Sequence, residues 1–147
     1  MADVASSSIV IAAPPADIMT VIADLEAYPD WSTGIKSAKV EESTPEGRPA
    51  RATFVLDAGV IKDTYTLSYD WSGDDRVDWK LVGGGTMLKA QVGSYTLKEV
   101  GGGTEATYRL TVELKVPMLG MFKRKAEKRI MDSALRDLKR RVESDNG

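Results

Sequence analysis

The residues with chemical potential in this chain are tyrosines, one tryptophan and a few carboxylates, because the usual catalytic types are missing. The 147 residues include no histidine and no cysteine. That removes the commonest general base, the commonest metal ligand and any thiolate nucleophile. A Ser-His-Asp triad or a zinc site cannot be assembled from this chain alone, and no cofactor or metal is expected. Tyr65, Tyr69, Trp79 and Tyr108 remain, each at an alternating position within an apolar run, which puts them on an inward face. A buried hydroxyl needs a partner, either a ligand oxygen or a backbone carbonyl. Glu127 is a second candidate. On a helical wheel it falls between Ile130, Ala134 and Leu138, in the middle of an apolar stripe. Either it is solvated at a helix end, or it looks into a cavity mouth and pairs with Lys123, Arg124 or a ligand's polar head. Asp63 shares the inward face of Tyr65 but reads more simply as a turn residue. Asp24 reads as the acceptor of a local hydrogen bond that holds the turn at 28–31. The triple-glycine stretches at 83–85 and 101–103 lack a following Lys-Ser/Thr and open no helix, so they are hairpin turns rather than phosphate loops.

The elements that must position these groups follow from periodicity. Residues 7–13 are rich in β-branched types and end at Pro14-Pro15, which predicts a first strand. Ile18, Val21, Ile22 and Leu25 then recur at helical spacing, predicting a helix over 15–25 that breaks at Tyr28-Pro29. From 35 to 116 the period is two, as in antiparallel strands with one buried and one wet face. Turns are expected at 45–47, 58–59, 73–75, 83–85 and 101–103, which makes about seven strands in all. In the strand 88–99, Leu88, Ala90 and Val92 share a face but Tyr95 and Leu97 fall on the other. A β-bulge at Gly93-Ser94 would restore the register. Residues 119–143 form the longest helix. Its apolar stripe is Ala126, Ile130, Met131, Ala134, Leu135, Leu138 and Val142, with Lys125, Lys128, Arg129, Arg136, Lys139 and Arg140 opposite. A bent antiparallel sheet holding one long helix covers every apolar face, and the whole chain reads as a single α+β domain.

The strand-to-helix junction Ile11-Ala12-Ala13-Pro14-Pro15-Ala16-Asp17-Ile18, the following Asp24-Leu25-Glu26-Ala27-Tyr28-Pro29-Asp30-Trp31 and the late hairpin Gly93–Leu97 with Gly103–Tyr108 resemble one known group. It is the SRPBCC or START-like superfamily, in particular its polyketide cyclase/dehydrase and coenzyme-Q-binding branch. The resemblance covers nearly the whole chain. It implies a helix-grip fold, with a curved antiparallel sheet of six or seven strands wrapped around a long C-terminal helix. Short helices follow the first strand, and a cavity lies between sheet and helix. The group contains lipid carriers, hormone receptors and aromatic cyclases, so the resemblance fixes no activity. The expected cavity residues are Trp31, Phe54, Tyr65, Tyr69, Trp79, Tyr108, Glu127, Met131 and Leu135. The same aromatic set would equally serve as plain core.

Three functions are open at this point. The first is binding or transport of a hydrophobic small molecule such as a lipid, isoprenoid quinone or polyketide-like aromatic. The second is a cyclase or dehydratase, with Tyr65, Tyr69, Asp63 and Glu127 as the available acids and bases. The third is a protein- or ribosome-interaction module that uses the basic face Lys125, Arg129 and Arg136. A net charge of −2 gives no support to nucleic-acid binding. From residue 117 onward, however, nine Lys/Arg stand against five Asp/Glu, while the preceding chain has eleven against seventeen. This basic segment, with the apolar run 117–122 before it, suits transient contact with an anionic membrane. The N-terminus lacks the pattern of a signal peptide, and the expected location is the cytoplasm. A monomer and a dimer are both compatible with the pattern.

Overall fold

The computed structural model describes residues 5–57, 59, 62–115 and 120–146. Strand β1 (Ala5–Ile11) leads through the double proline into helix α1 (Pro15–Ala23), a 3-10 turn (Leu25–Ala27) and the short helix α2 (Tyr28–Trp31). Six strands follow: β2 (Ile35–Ser43), β3 (Pro49–Asp57), β4 (Lys62–Ser72), β5 (Arg76–Gly84), β6 (Leu88–Val100) and β7 (Gly103–Leu114). Helix α3 (Gly120–Asn146) ends the order. The seven strands form one antiparallel sheet in the order β1-β7-β6-β5-β4-β3-β2, so only β1 joins a strand distant in sequence. This is the α+β helix-grip arrangement that the sequence resemblance implied. The expected start of the long helix at 119, the end of the period-two stretch at 116 and the turn residue Ala58 lie outside the described residues.

Pro15 occupies the first turn of α1, where its missing N–H costs nothing, and Ile18, Met19 and Ile22 bury the inner face. Helix α1 ends two residues earlier than the spacing predicts. The Asp24 side chain caps neither the helix nor the turn after it. Backbone bonds close that turn, and the Tyr28 hydroxyl reaches back to the Ile22 carbonyl at 2.5 Å.

The extra residue in β6 exists, but not at Gly93-Ser94. Register against β7 is unbroken from Ala90 to Val100 and shifts between Leu88 and Ala90. Leu88 and Gln91 therefore both point inward, followed by Gly93, Tyr95 and Leu97, while Val92 is 56% exposed. Gly93 is needed for another reason. It lies opposite Trp79, and a Cβ there would sit 2.4 Å from two indole carbons and 2.6 Å from Nε1. The Trp79 ring lies across the bare glycine, which is close approach rather than a bulge.

Helix α3 packs its stripe on β1, β7 and α1, with Met131, Leu135, Leu138 and Val142 buried. Polar clasps fix its rotation. Ser7 donates to the Asp132 carboxylate at 2.9 Å, the Thr33 amide to Asp137 at 2.7 Å and the Val112 amide to Glu127 at 3.1 Å. Glu143 accepts the Ala12 amide at 2.9 Å, and Lys139 donates to the Val10 carbonyl at 2.8 Å, so the end of the β1 edge is occupied by the helix.

Candidate functional site

Sheet register creates an aromatic seam. Phe54 pairs with Tyr65 across β3 and β4, Tyr69 with Trp79 across β4 and β5, and Tyr95 with Tyr108 across β6 and β7. Their rings touch in sequence. Phe54 and Tyr65 have centroids 5.9 Å apart, Tyr69 and Trp79 6.0 Å, Trp79 and Tyr95 5.4 Å, and Tyr95 and Tyr108 4.7 Å. Tyr28 joins from α2, 6.2 Å from Phe54. Separations of this size are the favourable range for offset and edge-on ring pairs.

This seam is one wall of a cavity of about 310 Å³ between sheet and helix. Phe54, Tyr65, Tyr69, Trp79 and Tyr108 line it, as do Leu67, Leu88, Leu110 and Val112. All five tyrosines of the chain lie on the wall. Burial raises the pKa of each, and neighbouring tyrosines raise several further, so each is a neutral O–H donor at physiological pH. Only Tyr28 has a hydroxyl partner among the described residues. The buried Trp79 Nε1 has none. Ser32, Thr33, Gly34, Ile35, Asp57 and Gly59 complete the wall together with Arg129, Ile130, Ser133 and Ala134 of α3, and the exposure of Thr33, Gly59 and Arg129 marks this as the mouth side.

Four expected residues are not part of the described wall. Trp31 is only partly buried and packs edge-on against Tyr28 at 4.8 Å. Met131 and Leu135, both 2% exposed, fill the core between helix and sheet. Glu127, also 2% exposed, accepts the Val112 amide and lies 3.9 Å from the Lys123 ammonium. Of its two alternatives, the solvated helix end is excluded, and the carboxylate joins α3 to β7 beside the cavity rather than on its wall.

Asp63 is more than a simple turn residue. Its carboxylate accepts the backbone amides of Thr64, Thr86, Met87 and Leu88 at 2.7–3.0 Å, and the Thr86 hydroxyl at 3.2 Å. Burial alone would raise its pKa, but the four amides outweigh burial and hold it below the usual aspartate range. It latches the β5–β6 turn to β4 and has no capacity left for proton transfer.

Pattern reading missed Tyr28, Gln91, Tyr95, Arg129 and Ser133 on the wall. Tyr95 and Gln91 were obscured by the bulge position. Tyr28 sits on a helix too short for periodicity. Arg129 is exposed, as its assignment to the wet face implies, and it also borders the cavity beside Ile130.

The described residues contain no cluster of acidic side chains able to hold a metal, and none of their helices is long and apolar enough to cross a membrane. No curated protein matches the chain in sequence. Solved structures match it in fold. A START superfamily protein from Mycobacterium smegmatis aligns at TM-score 0.88 and 22% identity over 96% of this chain and 97% of its own. A protein from Thermus thermophilus aligns at 0.85 and 22%, over 99% and 100%. The Zhui aromatase/cyclase from a Streptomyces species aligns at 0.83 and 12%, over 97% and 94%. A family model described as polyketide cyclase / dehydrase and lipid transport matches residues 2–143. With nearly its full length inside that model, the chain belongs to this family.

Proposed function

We propose that the chain binds a hydrophobic, ring-bearing small molecule with oxygen substituents in the cavity between sheet and α3. One observation carries this reading: all five tyrosines line a single cavity, and four of their hydroxyls, with the Trp79 indole N–H, have no partner among the described residues. Protein interiors rarely leave polar groups unpaired, and leaving each so costs about 1–3 kcal/mol. Donors left open together on an apolar wall suit a ligand that brings acceptors. Rings would stack along the seam, burial of apolar ligand surface would supply affinity at about 25 cal/mol per Å², and the hydroxyls would set orientation. Quinones and polyketide-like aromatics fit that description better than a plain acyl chain.

A cyclase or dehydratase is the second reading. The same neutral phenols favour it, because they can stabilise an oxyanion as a carbonyl is attacked. It ranks lower for want of a base. Asp63 and Glu127 are committed to backbone amides, and Asp57, the one carboxylate on the described wall, accepts the Gly59 amide and faces Lys62 at 4.0 Å. An interaction module has no comparable observation behind it.

The test is a titration with a naphthoquinone, a polyphenol and a fatty alcohol of similar size, followed by tryptophan fluorescence and calorimetry. The oxygenated rings should bind and quench, and Trp79→Phe should remove most of the quenching. Tyr69→Phe combined with Tyr108→Phe should weaken the oxygenated ligands about five- to thirtyfold while sparing the alcohol. Heat and quenching with none of the three would contradict the reading.

A further inference from the structure

We infer that the cavity mouth is an anion subsite in which Arg129, seconded by Ser133, holds the carboxylate of an amphiphilic ligand. This rests on the reading of the cavity as a ligand site and adds the chemistry of the ligand's outer end.

Apart from Gln91 and the tyrosines, the polar wall residues come from three segments. Ser32 and Thr33 belong to the α2–β2 connection, Asp57 ends β3, and Arg129 and Ser133 lie on α3. Backbone bonding draws these segments together. The Asp57 amide donates to the Gly34 carbonyl at 2.7 Å, and the Thr33 amide donates at 2.7 Å to Asp137, one helical turn beyond Ser133. Arg129 and Ser133 are four residues apart and so share a helix face. The rest of the described wall, Gln91 and two glycines aside, is aromatic and aliphatic.

Arg129 is the one basic residue on the described wall. The carboxylates that could neutralise it along the helix are engaged elsewhere. Asp132 pairs with Lys128 at 3.0 Å and accepts from Ser7, Glu127 accepts the Val112 amide, and Asp137 accepts the Thr33 amide. Asp57, across the mouth, has Gly59 and Lys62. Arg129 itself makes no ion pair or hydrogen bond among the described residues. An unpartnered guanidinium beside an apolar cavity presents a planar fork that matches a carboxylate, and a neighbouring hydroxyl can donate to the same group. The ligand this favours enters apolar end first and leaves its acidic end at the mouth.

The experiment compares pyrenebutyric acid with pyrenebutanol, a pair that differs in the terminal group alone, by fluorescence titration of the whole chain. The wild type should bind the acid about three- to fivefold more tightly than the alcohol, the range of a partly exposed ion pair. Arg129→Gln should bring the ratio to about one by weakening the acid more than the alcohol, and Arg129→Lys should keep part of the preference. Arg136→Gln, on the same helix but off the described wall, should leave the ratio as in the wild type. Equal binding of both probes by the wild type, or an acid preference that survives Arg129→Gln, overturns the anion subsite and leaves the cavity reading standing. Binding of neither probe overturns both.

Discussion

At the scale of single residues, the site depends on what each side chain is already bonded to. Tyr69 is half-buried and Glu127 buried, both near the cavity, but only the tyrosine has its polar atom uncommitted among the described residues. Gly93 shows the same logic for shape. It is required because Trp79 lies across it, with no room for a methyl group. Gly93→Ala should displace the indole, lower stability by about 1–3 kcal/mol as an overpacked core does, and shift tryptophan emission. Gly101→Ala, where an added Cβ meets nothing within 4 Å, should leave both unchanged. Thermal unfolding with fluorescence detection distinguishes them. Equal, small effects at both glycines would mean that the indole has room to move and the seam is looser than described. Sequence alone could not reveal this contact, because it joins two strands through a register that no local pattern encodes.

At the scale of elements, alternation and helical spacing were legible. Apolar residues at period two in 35–116 and at 3.6 in the last helix report directly which faces leave water. The bulge in β6 was legible as a necessity but not as a position. Hydrophobicity favours burying Val92, whereas the chain buries Gln91 and places the glycine under Trp79. The cavity face of α3 was harder still. The apolar stripe marks the helix–core contact, and the cavity touches its flank, where Arg129 and Ser133 alternate with Ile130 and Ala134. A wheel finds the core and overlooks a pocket beside it. Glu127 tests this division. Glu127→Ala should cost about 1–3 kcal/mol by leaving the buried Val112 amide unpaired, with ligand affinity held within about twofold. Denaturant unfolding beside a binding titration checks both. A large loss of affinity with unchanged stability would return Glu127 to the site.

At the scale of the whole molecule, fold and charge divide the labour. The sheet supplies a curved apolar trough, α3 closes it, and the short connection after α2 and the end of β3 border the mouth. The segment that carries α3 holds nine Lys/Arg against five Asp/Glu in a chain whose net charge is −2, and one of those positive charges reaches the cavity. Of the apolar run 117–122, only Phe122 has a described side chain, and it is 55% exposed. A cavity of about 310 Å³ lies within the range of small-molecule sites and far above the voids that close packing leaves in ordinary cores. Membership of the family fixes the architecture and leaves the ligand to the wall residues.

The most direct measurement is native mass spectrometry of the purified protein, with organic extraction of whatever accompanies it and a binding panel of a lipid, a quinone and a polyaromatic. The account predicts an adduct of one small oxygenated apolar molecule per chain, retained by the wild type and lost on Trp79→Ala or Tyr69→Ala in protein that still folds. A clean apo mass combined with no binding from the panel would contradict it and reduce the aromatic seam to core.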